Sequence, residues 1–176
     1  MRRITFLIAA LVLLSFAASA NAQLLPEPFR HDLAAFFAGP DGKTWVGEAT
    51  MFKSHYTDTV HVQYDAVENA LFIRRTLVDD DEGDVVSFGI GLISMGESDS
   101  LHTVRWTEKN YPEAEGRMFW DPEYAHWRVN FDGRWKQWFI NIRDAGDSAF
   151  EAGVARKVGS FPAVELLNAT YRAIKD

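Results

Sequence analysis

Side chains able to do chemistry are few in this chain, and most stand among aromatic rings. His102 is followed at alternate positions by Val104 and Trp106, the spacing that sets three side chains on one face of a strand. On an inward face, a neutral imidazole there would ligate a metal or haem, or orient the polar head of a ligand. A histidine hydrogen-bonded to a neighbouring strand explains the same pattern without a ligand. His55 and His61 are six apart with a turn expected at Thr57-Asp58, and no HExxH or HxH occurs, so a zinc hydrolase has little support.

Covalent chemistry fares no better. Gly96-Glu97-Ser98-Asp99-Ser100 lacks the closing glycine of a nucleophile elbow and opens no helix after a buried strand. Asp121 with Glu123, and Glu113 with Glu115, are close pairs in a chain of 25 acidic residues, so their closeness singles out nothing. A glycosidase would need two carboxylates about 5 to 9.5 Å apart across a sugar, a separation that sequence does not set. The run Asp79-Asp80-Asp81-Glu82-Gly83-Asp84 departs from the EF-hand pattern and reads as a solvated hairpin loop.

Aromatic residues dominate the remainder. Five of the six tryptophans, Trp106, Trp120, Trp127, Trp135 and Trp138, fall between positions 106 and 142. Such rings bury much apolar area at small entropic cost, which suits a pocket wall and a packed core equally; they would also stack on a sugar. The candidate ligand-binding set is Trp106, His102, Trp120, Trp127, Trp138, Tyr64 and Arg128.

The register of one hairpin decides how several of these are presented. Asp132-Gly133 suits a tight turn. A two-residue loop pairs Phe131 with Arg134 and Trp127 with Trp138. It gathers Trp127, Val129, Phe131, Trp138, Ile140 and Ile142 on one face, with Arg128, Asn130, Trp135 and Phe139 on the other. A three-residue loop pairs Trp127 with Phe139 and swaps the faces. Arg128 and Asn130 then meet either solvent or a ligand's polar head.

The elements that must position these residues follow from periodicity. Phe29, Leu33, Phe36 and Phe37 have helical spacing, stopped by Gly39-Pro40. From Lys43 the period becomes two, with Trp45, Gly47, Ala49 and Met51 on one face. Strands are expected over 59–66, which carries Tyr64 in phase with Val60 and Val62, and over 70–78, 85–95, 101–108, 117–120, both arms of the hairpin and 148–158. In 85–95, Ser87, Gly89 and Gly91 oppose Val86, Phe88, Ile90 and Leu92; glycines within a strand mark a bend or the close approach of another group. Val164, Leu167, Tyr171 and Ile174 are spaced by three and four, which predicts an amphipathic C-terminal helix. Strands in succession without intervening helices point to a mainly β fold, an antiparallel up-and-down barrel of about eight to ten strands with a short N-terminal helix and that C-terminal helix.

Composition bounds the setting. Arg2-Arg3, an apolar run over 4–18 and Ala20-Asn21-Ala22 have the build of a signal peptide over residues 1–22. One domain over 23–176 is expected in the periplasm or outside the cell, with no membrane span after cleavage. The absence of cysteine excludes disulfides and thiolate chemistry. The net charge of -7 becomes -9 when Arg2 and Arg3 are removed, which counts against nucleic acid as a partner.

Gly42, Trp45 and Gly47 at the first strand, between a short helix and a β-meander, resemble the calycin barrels: lipocalins, fatty-acid-binding proteins and nitrobindin-like haem barrels. Lys43-Thr44 intervene where the lipocalin signature has one residue, and Lys43 stands where the nitrobindin-like pattern has its first glycine. The haem-ligating histidine of the nitrobindin-like family lies near the C-terminus, whereas the last histidine here is His126, so neither haem nor another cofactor is expected. The resemblance implies a barrel enclosing a small hydrophobic or amphipathic molecule. Two other readings stand beside it: a hydrolase or isomerase at the barrel mouth using His102 or an acidic base, and an envelope protein that meets a protein partner through exposed aromatics such as Trp135.

Overall fold

The computed structural model describes residues 32–51, 54–96, 101–109, 111–146, 148–160 and 163–174. The expected signal peptide and the first residues of the expected N-terminal helix lie outside them. One short helix, α1 (Leu33–Phe37), precedes ten strands: β1 (Lys43–Met51), β2 (Ser54–Asp65), β3 (Ala70–Asp79), β4 (Val85–Ser94), β5 (His102–Glu108), β6 (Tyr111–Asp121), β7 (His126–Phe131), β8 (Trp138–Gly146), β9 (Ala149–Arg156) and β10 (Val164–Ala173). Each strand pairs antiparallel with its chain neighbours, and β10 returns to pair with β1, so the sheet is a closed up-and-down barrel. A closed sheet leaves no strand edge without a partner.

Paired residues in antiparallel strands share a face, so the inner surface can be followed from strand to strand. One inward row runs Tyr171, Gly47, Asp58 and Leu77 across β10, β1, β2 and β3. A second runs Val60, Arg75, Gly89 and Glu108 across β2 to β5, and a third Met118, Val129, Ile140 and Val154 across β6 to β9. The outer face carries exposed charges, among them Glu48, Arg74, Arg105, Glu115, Arg143 and Arg172. Among the described residues no helix is long and apolar enough to cross a membrane.

Helix α1 caps one end. Asp32 Oδ1 accepts from Ala35 N at 2.8 Å to start the helix, and Gly39, at φ 62, ends it. Its buried Leu33, Phe36 and Phe37 rest on Trp45, whose indole N–H donates to Phe37 O at 2.8 Å. Trp45 meets Phe150 edge-on at 4.9 Å, and Phe150 stacks on Tyr171 at 4.7 Å. Aromatic packing thus passes unbroken from the cap to the barrel wall.

Four expectations need correction. The C-terminal amphipathic helix is instead strand β10, which alternates buried Leu167, Ala169 and Tyr171 inward while Val164 and Ile174 are exposed. The apolar stripe misled because small inward residues such as Ala169 carry little hydrophobic signal, and two partner strands override local helix preference. Neither hairpin register holds: Trp127 pairs with Ile142 and Asn130 with Phe139, because residues 132–137 make a wider loop containing one 3-10 turn at Gly133–Trp135. That shift is an even number of residues from the two-residue loop, so the faces expected for that loop survive for the residues of β7 and β8, whereas Trp135 lies in the 3-10 turn and on neither face. Finally, Thr57-Asp58 is no turn but lies inside β2, and β6 begins at Tyr111, well before the expected 117.

The strand glycines answer to close approach. A Cβ on Gly91 would lie 2.5 Å from the Trp106 ring and one on Gly89 2.6 Å from it, so that ring lies across β4 in the space two side chains would fill. Gly47 accommodates the Tyr171 ring in the same way, at 2.8 Å. Gly91→Ala is expected to destabilise the protein by about 1–3 kcal/mol through overpacking, whereas Thr107→Ala on the neighbouring outer face changes it by less than about 0.5 kcal/mol. Urea unfolding of both variants checks this.

Candidate functional site

Charged residues on the inner face of a barrel are costly unless they satisfy one another. Here they do. Arg75 on β3 donates from Nε to both Asp58 carboxylate oxygens, at 3.1 and 2.8 Å, and from Nη2 to Oδ2 at 2.8 Å. Tyr171 on β10 reaches over Gly47 and donates its hydroxyl to Asp58 Oδ2 at 2.7 Å. On the other side, Arg75 Nη1 lies 3.4 Å from Glu108 Oε1. Ser87 donates its hydroxyl to the same oxygen, and Trp106 Nε1 donates to Glu108 Oε2 at 3.2 Å. A polar belt therefore crosses six adjacent strands from β10 to β5, stepping over Gly47 and Gly89.

Two features of the belt matter chemically. Asp58 is fully buried, while the Arg75 and Glu108 side chains keep 16% and 21% exposure, so its Glu108 end is reachable. Burial opposes the Arg75 charge most strongly, yet the charge and hydrogen bond of Asp58, with Tyr171 and Glu108, outweigh it and hold the guanidinium above its ordinary pKa. For Tyr171, burial and then the Asp58 charge push the phenol far above its usual value, against the pull of Arg75. Its proton stays on the hydroxyl that donates to Asp58.

Opposite the belt the inner wall is apolar. Phe131, Ile140, Ile142, Ala152 and Val154 point inward from β7, β8 and β9 but are only partly buried. The inner face therefore has an apolar side and a polar side, and α1 covers one end of the barrel.

The sequence candidates distribute unevenly. Trp106 joins the belt directly. His102, Trp120 and Trp127 come together: Trp127 is fully buried, 5.4 Å from the His102 ring and 5.6 Å from Trp120. The His102 Nδ1 accepts from Gly96 N at 3.1 Å, which puts its proton on Nε2 and commits one ring nitrogen to the backbone. Tyr64 faces inward but its hydroxyl donates to Asn69 Oδ1 at 2.9 Å in the adjacent turn. Trp138 stands apart, with Arg156 over its ring at 5.4 Å. Arg128 lies on the outer face, over the Phe139 ring at 4.8 Å and 3.5 Å from Asp121. His126 is buried under Tyr124 on that outer face, and burial holds its pKa below the ordinary value.

Sequence reasoning missed Asp58, Arg75, Glu108 and Tyr171. A signal existed: Asp58 is in phase with Val60, Val62 and Tyr64, Arg75 with Leu71, Ile73 and Leu77, and Glu108 with Val104 and Trp106. Charges in phase with the apolar face of a strand mark inward polar groups. Among the described residues no three His, Cys, Asp or Glu side chains converge as a metal site. The acidic run is a hairpin in which Asp79 Oδ1 accepts from Asp81 N and Glu82 N. No protein-family model matches the chain, and no curated protein matches it.

Arg75→Met leaves Asp58 buried without its cation and is expected to cost about 3–5 kcal/mol, while Asp58→Leu combined with Arg75→Met recovers more than half of that loss; urea midpoints of single and double variants decide it. Tyr171 also sets an alkaline limit. Its folded pKa is raised, so its contribution is complete below the unfolded value of about 10 and is lost as pH rises above it, where only the unfolded chain releases the proton. Absorbance at the tyrosinate band should show Tyr171 ionising only together with unfolding, and Tyr171→Phe should remove that coupling.

Proposed function

We propose that the protein binds a small molecule, with an apolar body and a polar head, inside the barrel. The observation that carries this reading is the partial exposure of Ile140, Ile142, Ala152 and Val154, all inward-facing, across the lumen from a hydrogen-bonded belt. Ligand sites have this make-up, mostly apolar walls with a few oriented polar groups. A barrel of about eight strands is just filled by side chains or holds one small ligand, and ten strands give a wider interior. The closed antiparallel barrel is compatible with a calycin-like protein, and the N-terminal export sequence fits a carrier acting in the periplasm or outside the cell.

Catalysis at the mouth finds less support. Glu108 accepts from Ser87, Trp106 and Arg75, and Asp58 from Arg75 and Tyr171, so the oxygens of both carboxylates are already engaged by donors within the protein. One observation favours a protein contact as a second reading. Phe72, Val86, Phe88 and Ile90 form an exposed apolar row on the outer face of β3 and β4, a more extensive patch than Trp135 in its loop.

Nile red and dodecanol titrations, read by dye emission and tryptophan fluorescence, test the lumen reading. Ala152→Phe is expected to fill the lumen and weaken binding by about tenfold or more, and Phe88→Ser to leave it unchanged. The reverse pattern would move the probe to the outer row and overturn the proposal.

A further inference from the structure

We infer that the lumen selects a ligand with a cationic head, a protonated or quaternary amine carried on an apolar body, and rejects the corresponding carboxylate. The inference rests on the lumen-binding reading above and adds the charge of the ligand to it.

Charge counting comes first. The belt holds two carboxylates, Asp58 and Glu108, and one guanidinium, Arg75, which leaves the belt itself with one unit of negative charge. Asp58 is matched by the side-on edge of Arg75 and by the Tyr171 hydroxyl. The excess therefore resides at Glu108, whose contact with Arg75 is the long one at 3.4 Å against 2.8 Å for Asp58. Glu108 is also the more exposed carboxylate of the two, at 21% against complete burial. An anion entering the lumen would meet this excess with Arg75 already engaged; a cation would neutralise it.

Shape gives the second argument. The Trp106 ring occupies the space over Gly89 and Gly91, so one side of it is pressed to the β4 backbone. Trp106 is only partly buried, and in the lumen-binding reading the side of the ring away from β4 is the one that meets a ligand. Its indole N–H is tied to Glu108 Oε2 at 3.2 Å, which anchors the ring beside the carboxylate. An aromatic face next to a carboxylate is the arrangement that holds an ammonium group, by attraction to the ring's π-cloud and to the negative charge together. Gly89 and Gly91 are what allow the ring to adopt this position, so the glycines of β4 serve recognition as well as packing.

Three probes with one tail test it: dodecylamine, dodecanol and dodecanoate, titrated against the full chain at neutral pH. The expected order is amine tighter than alcohol and alcohol tighter than carboxylate, with about tenfold or more between amine and carboxylate. Glu108→Gln keeps the shape and hydrogen-bond acceptor and should cut the amine advantage to less than about threefold while dodecanol still binds. The overall acidity of the chain is unchanged apart from that one charge, so an amine preference that survives Glu108→Gln is a surface effect and overturns the inference. Carboxylate binding equal to or tighter than amine binding in the unaltered protein overturns it without any variant. If none of the three probes binds, the lumen-binding reading itself falls; if dodecanol binds and the charged probes do not differ, only the cation selectivity falls.

Discussion

The ion pair between Asp58 and Arg75 constrains the rest of the barrel. A carboxylate with no solvent exposure is tolerable only when nearly every lone pair has a donor, and the side-chain donors here come from two strands, neither of them its own. The side-on guanidinium must arrive from β3 and the phenol from β10, across a position on β1 that is a glycine. The Tyr171 ring is in turn held by Phe150, Trp45 and the cap helix. The aromatic core at the closed end is therefore the scaffold that aims one hydroxyl group, and the polar belt and the hydrophobic plug are parts of a single arrangement.

Much of this architecture was legible in the sequence, and the exceptions have identifiable physics. Strands 43–51 and 70–78 stand where expected, the first from its period-two pattern with Trp45 and Ala49 against Glu48 and Thr50, the second from its richness in Leu, Phe, Ile and Val. Periodicity fails for β10, where alanine takes inward positions and a stripe at helical spacing arises by chance from Val164, Leu167, Tyr171 and Ile174. The hairpin at Asp132-Gly133 was recognisable as a turn, but its loop length depends on where β6 and β8 meet β7, and no local signal encodes that. Site residues suffered a different bias. Attention to tryptophan and histidine singled out Trp106, His102 and Trp127, yet the belt is built chiefly from Asp, Arg, Glu and Tyr, which in an acidic chain look like surface.

Three of the inward glycines, at 47, 89 and 91, illustrate how an absent side chain carries information. In an isolated strand a glycine weakens pairing, and its usual explanation is a bend. Here each gives up its own inward volume to a ring from the adjacent strand. A small residue and a large one thus share two positions, and the inner surface gains flat aromatic panels without widening the wall.

The pairing of β10 with β1 joins opposite ends of the described chain, and Ile174 N extends it by donating to Thr44 O at 2.9 Å. Contacts so distant in sequence form late, because the intervening chain must be ordered first. A growing chain would carry two open strand edges and an Asp58 without its phenol until the final strand arrives. Closing the seam and delivering Tyr171 are then the same event, so the wall and its buried charge mature together in one cooperative step.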